Sequence, residues 1–172
     1  HGFFDISLSE KMREKLIVAD FITFTNVFAH IEDLESLCLA VNNISKDETL
    51  IVIENHYLGS VIKKSQFDTF YHEHPRTYSA KSFVHIAQKL KKELLFIEFP
   101  ERYGGNIRAY IGLRKHHKLF PNLNLPDESN FSNKLLSLQP LISKWKKKCL
   151  NMIKTFIEEN NKKQIAAKAF PG

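Results

Sequence analysis

The sequence predicts an α/β fold, in which a parallel strand pair precedes an antiparallel pair and helices lie between and after them. Three observations carry that expectation. Residues 20–26 and 49–54 are runs of β-branched, aromatic and aliphatic residues, the composition of strands buried on both faces. Between them Ile31, Leu34, Leu37, Cys38, Val41 and Ile44 recur at helical spacing, so the order is strand, helix, strand. Such a crossover implies a parallel sheet. Further on, residues 94–99 and 107–113 are two strands joined by a short link containing Gly104 and Gly105, which makes them an antiparallel pair.

The remaining elements follow in order. Ser7 and Glu10 stand at capping-box spacing and open a short helix that reaches Lys15. After the second strand, His56 and Tyr57 lead into a short helix from Gly59. Residues 68–78 are a polar loop, because Pro75 pushes its predecessor out of helical geometry. A helix starts at residues 79–83 and turns Phe83, Ile86, Ala87 and Leu90 inward. Residues 116–126, with Pro121 and Pro126, form a loop. Residues 127–160 are helical, and Pro140 is expected near a helix start or break. Residues 160–163 read as a linker and 164–170 as a new strand. The chain opens on His1 rather than Met, as expected of a partial chain.

Composition narrows the classes. With 172 residues, 43% of them hydrophobic and 26% charged, the chain suits one ordinary domain or one and a part, and is not disordered throughout. The net charge is +6, with the excess in Lys144, Lys146, Lys147, Lys148, Lys154, Lys162 and Lys163. Only Trp145 interrupts that run, so it reads as a solvated helix face rather than a nucleic-acid footprint. An acidic substrate is compatible with it. Cys38 and Cys149 form neither a disulfide framework nor a zinc knuckle; buried free thiols point to a reducing, cytoplasmic setting. No eighteen-residue apolar run and no signal-peptide layout occur, so no membrane partner is expected.

Chemistry concentrates in residues 68–78, where Tyr71, His72, Glu73, His74, Arg76 and Tyr78 fall together. Ligands of open α/β sheets bind beyond the carboxyl ends of the strands. The exits 26–30 and 54–57 therefore face one crevice. If the loop folds over it, the site gathers His30, Tyr57, Tyr71, Glu73 and His74. An imidazole with an ordinary pKa near 6.5 takes a proton at neutral pH. A phenol or a second imidazole donates to an oxyanion. That equipment suits proton abstraction next to a carbonyl. Blander readings stand beside it: a polar surface loop, His30 as a locally bonded helix-start residue, and Gly104-Gly105 as a turn. His85, His116 and His117 read as surface residues. His72 and His74 with Asp68 or Glu73 form an alternative metal-binding set, which would suit a metal-dependent hydrolase.

Three blocks, residues 26–34, 67–74 and 104–108, resemble the sugar C-methyltransferases, which methylate a carbon of nucleotide-linked keto-deoxysugars with S-adenosylmethionine. The Tyr-His-Glu-His block at 71–74 is the specific one. The resemblance implies that residues 1–113 are the back half of a Rossmann-like class I methyltransferase domain. Residues 114–163 are then a helical connection and 164–172 the start of a C-terminal α/β domain. It implies His74 as the base, with Tyr71, Glu73 and His30 orienting it and stabilising an enolate, whose carbon accepts the methyl group. It implies Asn26, Val27 and Phe28 along the cofactor, and Tyr57, Gly104, Gly105 and Asn106 along a nucleotide-sugar substrate. Zinc belongs, in that family, to an N-terminal domain whose cysteines this chain lacks, so no metal site is expected here. The family's Gly-x-Gly-x-Gly loop is also absent, and Asn106 replaces a small hydroxyl residue. The reading from another class is a catalytically inactive module that binds a nucleotide-sugar or a protein partner. The enzymatic reading requires His30 and His74 to open onto one cleft.

Overall fold

The computed structural model describes residues 3–160. Four strands form one mixed sheet: β1 (Ala19–Thr25), β2 (Ser45–His56), β3 (Glu93–Glu98) and β4 (Asn106–Gly112). Their order is β1-β2-β4-β3. β1 runs parallel to β2, and β4 is antiparallel to both β2 and β3. The α/β class, the crossover and the antiparallel pair are all present.

β2 starts earlier than hydrophobicity indicates, at Ser45 rather than Thr49. The polar lead-in is held by a register shift against β1 between Ala19 and Phe21. Thr49 closes that irregularity: its buried hydroxyl donates to the Ala19 carbonyl at 2.5 Å and accepts the Lys46 N–H at 2.9 Å. β1 corrects the expectation of a strand buried on both faces. It is the edge of the described sheet, and Phe21 is 70% exposed there. A composition of Phe, Ile and Thr marks a strand but not how many neighbours it has.

The helices are α1 (Ile6–Glu14), α2 (Leu34–Asn43), α3 (Leu58–Lys64), α4 (Ala80–Lys89) and α5 (Phe131–Glu159). The cap of α1 is Asp5, whose carboxylate accepts the Leu8 N–H at 2.7 Å, and not the Ser7–Glu10 pair. Asp and Ser are near-equal caps, and the earlier one starts the helix. α2 begins only at Leu34, capped by Asp33 through the N–H and hydroxyl of Ser36. Those two bonds hold the exposed Asp33 carboxyl below its usual range. Residues Phe28–His30 form a separate 3-10 turn instead of joining that helix. Ser79 caps α4 in reciprocal bonding with Ser82.

Alternate residues of the central strands are buried: Ile51 and Ile53 of β2 stand opposite Ile111 and Ala109 of β4. α4 packs on β3 and β4, α2 on β2 and α4, and α1 on α2. Phe83 of α4, Leu90 at its C-terminal cap and Val41 of α2 complete the core. The intervening residues of the strands carry a row of charge. Arg108 lies directly opposite Glu54 of β2 and Glu98 of β3, and donates to both, at 2.8 and 2.5 Å.

The 116–126 loop begins as a 3-10 turn, Arg114–Leu119. α5 passes through Pro140, which therefore marks neither a start nor a break. The ring removes one backbone bond, and the helix continues on both sides. Packing divides the chain into a unit ending at Glu128 and one beginning at Ser129. The expected strand 164–170 lies outside the described residues. Cys38 is buried, Cys149 is half-buried, and both are free thiols. No described helix is long and apolar enough to cross a membrane.

Candidate active site at the strand exits

β1 ends where Asn26 takes a left-handed conformation, φ 54°, and turns the chain off the sheet. Asn is one of the few residues that adopts this at modest strain. Its N–H still donates to the Glu54 carbonyl at 2.7 Å. The 3-10 turn that follows is pinned to the end of β2, because the Ala29 N–H donates to Asn55 Oδ1 at 3.3 Å. This places His30 beside the exit of β2, whose last residue is His56.

The 67–78 loop lies outside any α-helix and is tied at both ends. A 3-10 turn, Phe67–Thr69, begins it, and the His74 N–H closes a second turn onto the Tyr71 carbonyl at 2.9 Å. Arg76 then donates to the carbonyls of Ile31 and Glu32, at 3.1 and 2.6 Å. Tyr78 is buried, and its hydroxyl donates to the Phe28 carbonyl at 2.8 Å. Tyr78→Phe is expected to lower stability by about 0.5–1.5 kcal/mol, since the Phe28 carbonyl loses this donor and keeps only the longer bond from the Ile31 N–H. Urea unfolding reads that loss.

Those ties bring three imidazoles together. The His74 ring meets His30 edge-on at 4.7 Å between centroids, and His56 at 5.7 Å. The His30 and His74 rings are therefore in contact, as the sequence reading required, but His30 is exposed and does not line the cavity beside His74. A cavity of about 300 Å³ opens beside them, lined by Asn26, Ala29, Asn55, His56, His74 and Tyr103.

The hydrogen bonds of His74 assign its protons. Nδ1 lies 3.3 Å from the Thr69 carbonyl, which can only accept, so Nδ1 carries the hydrogen. Nε2 keeps a lone pair and accepts the Tyr71 hydroxyl at 3.0 Å. Burial holds the His74 pKa below its ordinary value; the neighbouring His30 adds to this, while the Thr69 bond and Glu73 oppose it. His56 is also held down, first by burial and then by His74. Both rings are therefore neutral at physiological pH.

Other expected residues take different places. Tyr57 does not line the cavity: its hydroxyl donates to Glu128 Oε1 at 3.1 Å. Burial and that carboxylate push the phenol well above its usual range. Glu128 also accepts the first N–H groups of α4, from Ala80 and Lys81, so Tyr57 belongs to a structural cluster. Glu73 is exposed and sits 3.8 Å from His72. Phe28 is buried at 1% exposure, edge-on to Phe24 and Tyr78, and its ring faces core rather than cavity. Val27 is 41% exposed, and of the three expected cofactor residues only Asn26 lines the cavity.

Gly104 and Gly105 adopt φ 88° and 126°, and a side chain at Gly105 would run into Ser60. Their role is the turn, which swings Tyr103, itself left-handed at φ 51°, to the cavity wall. Asn106 is fully buried beneath, donating to Glu54 Oε1 at 2.8 Å and Asn26 Oδ1 at 3.3 Å. His72 is exposed, and among the described residues no three His, Cys, Asp or Glu side chains are arranged to hold a metal.

Sequence reasoning missed Asn55, His56 and Tyr103. The signal for the first two was available, since both sit at a strand exit that the sequence marks. Tyr103 was not legible, because its place depends on three successive left-handed residues.

The structure thus defines a mixed α/β protein with a histidine cluster over the carboxyl ends of its parallel strands. No family model matches the chain. It is similar to the C-methyltransferase NovU of Streptomyces niveus, 25% identical over 107 residues, which cover 62% of this chain and 26% of that protein. The chain therefore spans about a quarter of the length of the curated relative it matches. This likeness supports a methyltransferase relationship.

Proposed function

We propose that the protein is an S-adenosylmethionine-dependent C-methyltransferase, acting on a nucleotide-linked keto-deoxysugar through proton removal beside the keto group. The observation that carries the reading is the His74 ring: a neutral imidazole whose Nε2 lone pair is held by one phenol at a cavity over the strand exits. When bound, the cofactor supplies an electrophilic methyl group. The residues present fit one wall of its site: Asn26 lines the cavity, Val27 is exposed next to it, and Phe28 supports both from the core. The exposed edge at β1 supports reading residues 1–113 as the back half of a larger doubly wound domain.

The residues of this chain divide the work. Tyr71 holds the Nε2 lone pair until substrate displaces its hydroxyl. His74 then takes the proton from the carbon next to the carbonyl, while the Thr69 carbonyl keeps Nδ1–H in place and steadies the resulting imidazolium. His30 packs against the ring and limits its rotation. A general base placed in this way contributes roughly 10² to 10⁴ in rate.

Calorimetric titration of the full-length protein with S-adenosylhomocysteine tests the assignment. Binding heat is expected; its absence favours an inactive sugar- or protein-binding module. A pH profile tests the base. Only neutral His74 accepts a proton, so kcat/KM rises with pH through the His74 pKa and levels off above it. Because that pKa is depressed, the acid limb lies below the ordinary value of about 6.5. His30→Gln removes a repelling charge, so the limb is expected to move to higher pH. A limb that stays in place would remove the His30–His74 coupling.

A further inference from the structure

We infer that Asn55 and His56 form a seat for the substrate's carbonyl oxygen, and for the negative charge it gains when the neighbouring carbon loses its proton. The inference rests on the proposed proton abstraction by His74 and adds to it a site for the oxygen.

Both residues line the cavity that His74 faces. His56 ends β2 and is half-buried, its ring 5.7 Å from His74 and 6.4 Å from Tyr103. No hydrogen bond engages either of its ring nitrogens among the described residues, so a neutral His56 has an N–H to offer. Asn55 is more telling. It is 1% exposed, its Oδ1 is used by the Ala29 N–H, and its Nδ2 has no partner. A buried donor left unpaired is destabilising, and such groups in native structures mark a missing ligand or a strained site. Since Oδ1 is fixed by Ala29, the amide cannot flip to relieve it.

The chemistry of the wall indicates what fills the gap. No carboxylate lines the cavity; its polar groups are two carboxamides, two imidazoles and a phenol. That set of neutral donors suits an oxygen that becomes negative. The proton balance closes within the site. The C–H bond adjacent to the carbonyl breaks, its proton goes to His74 Nε2, and the electron pair moves onto the carbonyl oxygen. That oxygen then accepts from Asn55 Nδ2–H and His56 N–H. Donors aimed at developing charge strengthen their bonds as the charge forms.

Oxalate, a planar dianion with enolate-like oxygens, is the probe, titrated calorimetrically into the full-length protein alongside S-adenosylhomocysteine. Wild type is expected to bind oxalate. His56→Phe and Asn55→Asp are each expected to weaken it by about tenfold or more, and His56→Gln, which keeps a donor, to restore part of the loss. His85→Gln, remote from the cavity, should bind as wild type does. Asn55→Asp keeps the acceptor for Ala29 but exchanges the donor for a carboxylate, which also repels the dianion, so the two His56 variants, which add no charge, decide. Absent oxalate binding in wild type, or equal binding in the His56 variants, overturns the seat. S-adenosylhomocysteine binding with no oxalate effect leaves the methyltransferase reading standing alone. The reverse result sinks that reading and leaves the oxygen site.

Discussion

His74→Asn and His74→Ala in the full-length protein are expected to lower kcat for methyl transfer by about 10²- to 10⁴-fold, with the affinity for S-adenosylhomocysteine nearly unchanged. The expectation follows from the division of the hydrogen bonds. Thr69 takes Nδ1–H and fixes the tautomer, so the group lost is a neutral Nε2 lone pair at the cavity. Asn occupies a similar volume but offers an amide that is far too weak a base. The ring also packs on His30, His56 and Tyr71, so Asn is the cleaner test of chemistry and Ala the harsher test of packing. Tyr71→Phe should be milder, since it frees the lone pair without removing it. Full turnover by His74→Asn would transfer the base role elsewhere. Loss of cofactor binding as well would make His74 a structural residue.

Arg108→Met is expected to destabilise the fold by about 3 kcal/mol. Glu54 is 3% exposed, and Arg108 is its principal counter-charge, donating to it while also reaching Glu98. Arg102 stands farther off, at 3.9 Å, and is itself exposed. Removing Arg108 leaves a buried carboxylate with only Asn106 close by. Breaking one side of such a pair costs more than the pair contributes, because the remaining charge stays out of water. Arg108 is partly exposed, which sets the expectation at the lower end of the range for buried pairs.

The pH dependence distinguishes this account from simple loss of packing. Burial pushes the Glu54 carboxyl up, but the bonds from Asn106 and Arg108 and the charges of Arg108 and Arg102 outweigh it, so its pKa is held below the ordinary value. A depressed carboxyl contributes stability above its unfolded pKa of about 4.3 and loses it as pH falls through the folded value. In acid the neutral Glu54 no longer needs Arg108. The gap between wild type and Arg108→Met in urea unfolding should therefore narrow as pH falls. A gap that is constant with pH would assign the loss to the aliphatic part of Arg108 instead. The same row reaches the candidate site, because Asn106 joins Glu54 to Asn26 at the cavity lip.

Much of this was legible in the residues. Ile51 and Ile53, flanked by polar turns, mark a buried strand wherever they occur, and the amphipathic spacing of Phe83, Ile86, Ala87 and Leu90 fixes both the helix and its inner face. Ser79 before that run states where the helix begins. The block at 71–74 stood out as a candidate because phenol, carboxylate and imidazoles crowd one loop, and the structure brings Tyr71 and His74 of it together. Less legible was which members of a promising stretch point inward. Tyr57 and His56 are neighbours, yet the hydroxyl of Tyr57 is taken by Glu128, a partner far along the chain. Glu73 lies within the same block as His74 but is turned toward His72 and solvent.

What the sequence by itself determined is local: where strands, helices and breaks fall, and which segment is rich in groups able to move protons. Periodicity and capping act over a few residues and are written in adjacent positions. What only the tertiary structure decided is convergence. His30, His56 and His74 come from three segments, and meet because a turn pinned to Asn55 and a loop anchored by Arg76 and Tyr78 bring them over the same strand ends. Those ties run between residues 26 to 50 positions apart in sequence, so no local pattern records them.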